Sequence, residues 1–240
     1  MHPQPQAHRP ITVAASRQTP MSQAFLHFGA RHASGRAMRA WLALREAGFP
    51  FQEVAADLRQ PHGSPDPLPI GSPHPAVTAP LLVVGETVVC GAPAIMAFAN
   101  DYARGTLLPK DAGPRAAARS IMAWQHASPT CWRLAFESTF DPWTRPLNGD
   151  ERSEVARLCR VIEPLLAAST GPFLFGPVSL ADLSLAPAAI GLLRHADLSD
   201  WPATGTWMEE LLSHPPVAAW IGGLDAPTRH HGPTPPGREP

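Results

Sequence analysis

The sequence predicts two units in tandem, a small α/β unit with a mixed sheet followed by an all-helical one. Three observations predict it. Short strand-like runs alternate with helical periodicity between residues 24 and 104. A proline-rich stretch interrupts that alternation, and from residue 114 onward the long periodic patterns are all helical.

The first strand is "AFLHF" (24–28). From Arg36 to Ala47 the residues Met38, Trp41, Leu42 and Leu44 fall mostly on one side of a helix, and Gly48 is a good stop. "FPFQEVAAD" (49–57) reads as a second strand, parallel to the first through an ordinary crossover. "RQPHGSPDPLPIGSPHPAV" (59–77) has little periodicity. It leads through Thr78, Ala79 and Pro80 into "LLVV" (81–84), and a turn at Gly85–Glu86 sends "TVV" (87–89) back as a hairpin. Gly91, Ala92 and Pro93 open the next helix, where the missing N–H of a first-turn proline is no loss.

Residues 105–113 read as a linker between the units. A helix over 114–127 follows, ended by Pro129, which removes a backbone donor and crowds the preceding turn. Helices over 149–169 and 179–196 come next; the second is the most apolar and is expected at the centre. Two shorter ones, near 203–213 and 215–222, complete a unit ending at residue 224. "SLAD" (179–182) has the capping-box pattern, with Ser179 and Asp182 expected to satisfy helix-start donors reciprocally.

Both ends read as disordered tails, residues 1–23 and 225–240. Residues 1–20 hold four prolines, two arginines and no acid, so the folded chain is expected to start near Met21. His230 and His231 fall in the second tail and read as solvated.

Composition narrows the function. Hydrophobic residues make up 44% of the 240, enough for a core in each unit, and the formal net charge is −1. The basic residues are scattered, which argues against nucleic acid as a partner. No apolar run reaches the roughly 18 to 20 residues of a membrane span. The three cysteines, Cys90, Cys131 and Cys159, fit neither a disulfide framework nor a metal site and read as buried thiols in a reducing compartment. The location expected is the cytoplasm, with no metal bound.

Ser34 stands just before the first helix. A helix start presents unpaired N–H groups and a partial positive charge, which favour an anion and lower a thiol's pKa. Ser34 is the only hydroxyl between Phe28 and the helix. It either caps the helix or donates to a bound thiolate.

The motifs resemble those of the glutathione transferase superfamily. "RAWLALREAGFPFQEV" is similar to the first helix and second strand of bacterial members, and matching it places the leading serine of the zeta-like motif on Ser34. "TAPLLVV" resembles the segment with a cis-proline before the third strand. "ARSIMAWQHAS", "FLFGPVSLADLSLAP" and "HPPVAAWIGG" resemble parts of the helical domain. The resemblance covers residues 24 to 224.

It implies a thioredoxin-like domain (24–104) that binds glutathione as co-substrate, joined to an all-helical domain (114–224). It also implies a homodimer, paired through the 94–103 and 114–127 helices, that conjugates the glutathione thiolate to small hydrophobic electrophiles. Ser34 would be the catalytic donor. Ala79 and Pro80 would present backbone to the peptide, with Pro80 either cis in a tight turn or trans at a strand start. Gly91 and Ala92 would hold the γ-glutamyl end. Phe28, Arg31, His32, Trp124 and Ser128 would line the second-substrate pocket, and His126 reads as structural.

The pattern departs from the family in two places. Gly91–Ala92 stand where an acidic residue and a serine are usual, and Thr78 stands for a lysine or glutamine. A hydrogen bond to a charged group contributes about 1.5 to 3 kcal/mol, so losing one weakens affinity by roughly tenfold to a hundredfold. Arg36, Arg39 and His32 are the candidates to compensate. Two other readings stand beside conjugation: a glutathione-dependent isomerase of the maleylacetoacetate type, and a transferase-like scaffold that binds without catalysis.

Overall fold

A computed structural model describes residues 23–29, 34–55, 80–127, 147–195 and 197–223. The terminal tails, the 59–77 stretch, Pro129 and Cys131 lie outside the described residues, as do the predicted site residues Arg31, His32, Thr78, Ala79 and Ser128.

Four strands form one sheet, β1 (Ala24–Phe28), β2 (Gln52–Ala55), β3 (Leu81–Val84) and β4 (Thr87–Cys90), in the order β2-β1-β3-β4. β1 runs parallel to β2 and antiparallel to β3, and β3 pairs with β4 as the expected hairpin. Gly85 turns that hairpin at φ 58. The mixed sheet and the parallel crossover therefore match the expectation. β2 is shorter than the predicted 49–57: Phe49 is core and residues 50–51 lead in.

Three helices belong to the sheet or follow directly from it: α1 (Gly35–Glu46), α2 (Ala92–Tyr102) and α3 (Ala112–Ala127). α3 begins two residues before the expected Pro114, because proline suits a first turn and the start lies upstream of it. Then come α4 (Gly149–Ala168), α5 (Leu180–His195), α6 (Pro202–Ser213) and α7 (Pro215–Gly222). α4 opens with a complete capping box: Asn148 accepts from the Glu151 N–H while Glu151 accepts from the Asn148 N–H.

The fold is a thioredoxin-like unit followed by a helical one, and α1 is the joint. Sequence periodicity gives α1 one apolar side, yet every residue from Ala37 to Leu44 is buried. It packs against α2 and also against α5 and α7 of the helical unit. Trp220 on α7 is fully buried, with its ring 5.8 Å from Phe28 and 5.4 Å from Trp41. At the far end of α1, Glu46 meets His214 at 2.7 Å, tying that helix to the α6–α7 corner. The Leu107 carbonyl accepts from the Leu180 N–H at 2.9 Å, so the linker is pinned to the start of α5.

α5 is the central helix, as its sequence suggests, and every residue from Leu180 to Leu192 is buried. Asp182 fixes its start. Oδ2 accepts from the Ser179 N–H at 3.0 Å and the Ser179 hydroxyl at 2.7 Å. Oδ1 accepts from the Leu174 N–H at 2.9 Å and the Trp207 indole at 3.0 Å. The Ser179 hydroxyl thus donates to Asp182 where the capping box would have it accept. Burial pushes the Asp182 carboxyl up from its ordinary pKa, against the pull of the four donors.

Candidate functional site

The site candidates converge where β1 ends, β3 begins and β4 ends. His27 lies opposite Leu81 and Leu81 opposite Cys90, so Phe28, Pro80 and Gly91 sit at one end of the sheet. The chain leaves β1, passes residues 29–33 and enters α1 at Ser34, in extended backbone at φ −148.

Ser34 is the N-cap of α1. Its Oγ accepts from the Ala37 N–H at 3.1 Å, and its carbonyl takes the first helical bond from Met38 at 3.0 Å. The two sequence readings of Ser34 are compatible, because a hydroxyl accepts through its lone pairs and donates through one hydrogen. The cap bond uses a lone pair. Ser34 is half-buried.

Pro80 is buried, and its carbonyl accepts from the Gly91 N–H at 2.9 Å, clamping the β3 entry to the α2 start. Gly91 is the N-cap of α2, at φ 84 and ψ 148, and contributes no side-chain cap. Only glycine adopts that region without strain, so the backbone itself favours the residue at this departure from the family pattern. Ala92 is buried as the first residue of α2, and Pro93 follows on its exposed side.

Of the expected pocket residues, Phe28 and Trp124 are among those described. Phe28 is 4% exposed and packs against Trp220, so it belongs to the core and not to a pocket wall; the alternation of β1 turns its ring inward with Ala24 and Leu26. Trp124 is half-buried against the core on α3.

A cavity of about 350 Å³ instead opens beside the α2 start, between α1, α2, α3 and α5. Ala92, Pro93 and Met96 form one wall, and Met122, Ala123, Gln125 and His126 another. Arg39 and Ser184 line it from the joint. Arg39 is 2% exposed, and its Nε donates to the Ser184 carbonyl at 2.8 Å. His126 has its pKa lowered by partial burial and then by the positive charges of Arg39 and Arg36. Gln125 and Arg39 carry no sequence signal of burial, since a polar residue on an amphipathic helix ordinarily faces water.

Cys90 and Cys159 are free thiols, the first half-buried and the second buried. Burial and the nearby Glu163 push the Cys159 thiol up to about 11, so it stays protonated and unreactive at neutral pH. No cluster of potential metal ligands occurs among the described residues.

A four-stranded mixed sheet carrying a helix start at Ser34 and a clamped proline, followed by an all-helical unit, is the glutathione transferase fold. Solved structures bear this out. A glutathione transferase F2 from Populus trichocarpa superposes with a TM-score of 0.65 at 22% identity, over 84% of this chain and 98% of that one. A glutathione transferase homologue from Burkholderia, solved with bound glutathione, gives 0.64 at 20% identity, over 85% and 98%. A possible glutathione S-transferase from Rhodopseudomonas palustris gives 0.63 at 22% identity, over 81% and 96%. No protein-family profile matches the chain. No curated protein matches it either. No helix among the described residues is long and apolar enough to cross a membrane.

Proposed function

We propose that this protein is a glutathione transferase that joins the thiolate of glutathione to small hydrophobic electrophiles. The observation that carries the reading is Ser34: a capped helix start whose hydroxyl accepts from Ala37 and still has its hydrogen to give. Pro80 and Gly91 are clamped together at the sheet end where β1 finishes, six residues before Ser34 in the chain.

The residues fit a thiol peptide. The α1 start and the Ser34 hydroxyl stabilise a sulfur anion, so the thiol ionises nearer neutral pH. Backbone at Ala79 and Pro80 holds the peptide as an added strand, and the α2 start at Gly91–Ala92 receives its carboxylate. The protein's contribution to rate is to hold the thiolate beside the electrophile and to exclude water. Arg31, His32, Trp124 and Ser128 remain the candidates for the electrophile pocket.

The test is calorimetric titration with glutathione alongside a chromogenic conjugation assay. With the serine and acid replaced by Ala92 and Gly91, we expect binding in the high micromolar to millimolar range. Ala92→Ser should tighten it by roughly tenfold. No heat at several millimolar and no effect of Ala92→Ser would refute the reading.

Gly91, which makes no side-chain cap, favours one other account, the non-catalytic scaffold. That account predicts ligand binding without conjugation. An isomerase would turn over substrate without consuming glutathione, so thiol consumption separates the two enzymatic readings. We place the protein in the cytoplasm, on its free thiols, as a homodimer paired through α2 and α3. Ala94, Ala97, Ala116 and Ala123 are exposed on those helices, and Tyr102 is 45% exposed. Sedimentation at micromolar concentration should give a dimer; a clean monomer would contradict the pairing.

A further inference from the structure

The α2 start favours an anion and offers no partner to a cation among the described residues. Gly91, its N-cap, has no side chain to give, and neither the first turn of α1 nor that of α2 holds an acidic residue. The open N–H groups of such a start leave a partial positive charge there.

The cavity beside that start continues the pattern. Arg39 and Arg119 line it, and none of its lining residues is acidic. Arg39 is almost fully buried, so solvent screens its charge little. Partial burial and then the charges of Arg39 and Arg36 lower the His126 pKa, which reports the same positive field. Most of the remaining wall, Ala92, Pro93, Met96, Met122 and Ala123, is apolar. A cation set against it loses hydration and gains no partner.

Glutathione brings both charges to this place. Its γ-glutamyl carboxylate and ammonium sit on one carbon, so the ammonium must follow the carboxylate to Gly91–Ala92. The carboxylate gains from the helix start, whereas the ammonium meets the same positive end.

We propose that this protein prefers a cysteinyl peptide whose distal end is a carboxylate without an adjoining ammonium, a preference set by the α2 start together with Arg39 and Arg119. The inference rests on the glutathione reading of Ser34, Pro80 and Gly91–Ala92, and it names the class of thiol that such a site selects.

The probes are glutathione and glutaryl-cysteinyl-glycine, which differ only in that a hydrogen replaces the amino group of the second. Each is titrated into the full chain at neutral pH and followed by calorimetry. The deaminated thiol should bind about threefold tighter or more. Arg119 is exposed, so Arg119→Glu should leave the melting temperature unchanged. It should move the ratio of the two affinities toward glutathione by about threefold or more, and Arg119→Gln part of the way. Glutathione binding as tightly as the deaminated thiol, or a ratio unmoved in Arg119→Glu, would overturn the preference and leave the transferase reading standing. Binding of neither thiol at several millimolar would overturn that reading and the preference with it.

Discussion

The Nε of Arg39 donates to the carbonyl of Ser184 at 2.8 Å, and that bond joins the sheet-bearing unit to the central helix of the other. Both residues are almost fully buried, at 2% and 1% exposure. Truncating Arg39 therefore removes packing as well as a hydrogen bond. Arg39→Ala should lower stability by about 2 to 4 kcal/mol, and Arg39→Met, which keeps most of the volume, by less than half of that. Urea denaturation measures both.

The same substitutions have an electrostatic signature. Partial burial and then the charges of Arg39 and Arg36 hold the His126 pKa down. A neighbouring cation disfavours the imidazolium, so removing it must raise the pKa. NMR titration should show the His126 midpoint rise in Arg39→Met. An unchanged midpoint would take Arg39 out of that field.

Asp182 should be among the most sensitive positions in the helical unit. Asp182→Ala would orphan two backbone N–H groups, an indole N–H and a hydroxyl in a site with no exposure. The expected cost is about 3 to 5 kcal/mol, the range for breaking a buried polar network by removing one member. A loss under about 1 kcal/mol would mean that water or a rearranged neighbour replaces it.

Helix α6 has no cap of its own, since Trp201 stands at its N-cap. Glu163 of α4 caps it from outside, accepting from the N–H groups of Ala203 and Thr204 at 3.1 and 2.9 Å and from the Thr204 hydroxyl at 2.6 Å. Burial alone would raise the Glu163 pKa, but those bonds outweigh it and the value falls below the ordinary 4.5. A carboxylate with a depressed folded pKa stabilises above its unfolded pKa and loses that contribution as pH falls through the folded one. Glu163→Gln should cost about 1 kcal/mol at neutral pH and make stability less steep below pH 4.5. Melting curves of the two proteins between neutral pH and pH 3 decide it; parallel curves would contradict the capping role.

What was legible in the sequence was local. The short apolar runs at 24–28 and 81–84, the Gly85 turn and the proline helix starts are set by neighbours within a few residues, and the elements fall within two or three residues of expectation. The part of the Asp182 cluster written in "SLAD" was legible too, but its bonds to Leu174 and Trp207 come from 8 and 25 residues away. The burial of α1 on all sides was not legible, because its second covering comes from α5 and α7, more than a hundred residues along the chain. For the same reason Phe28 reads as a pocket residue in sequence and is core against Trp220 in space. Gln125 and Arg39 look like ordinary polar helix residues until the four surrounding helices are assembled.

The central claim is that the Ser34 hydroxyl stabilises a bound thiolate. Its most direct measurement is the pKa of the glutathione thiol on the protein, read from thiolate ultraviolet absorbance across a pH series, in wild type and Ser34→Ala. The account predicts a bound pKa below that of free glutathione in wild type. In Ser34→Ala it should be raised by about one unit, which is roughly 1.4 kcal/mol of lost stabilisation, with glutathione affinity at low pH nearly unchanged. Equal bound pKa values in the two proteins would contradict it and leave Ser34 as a helix cap alone.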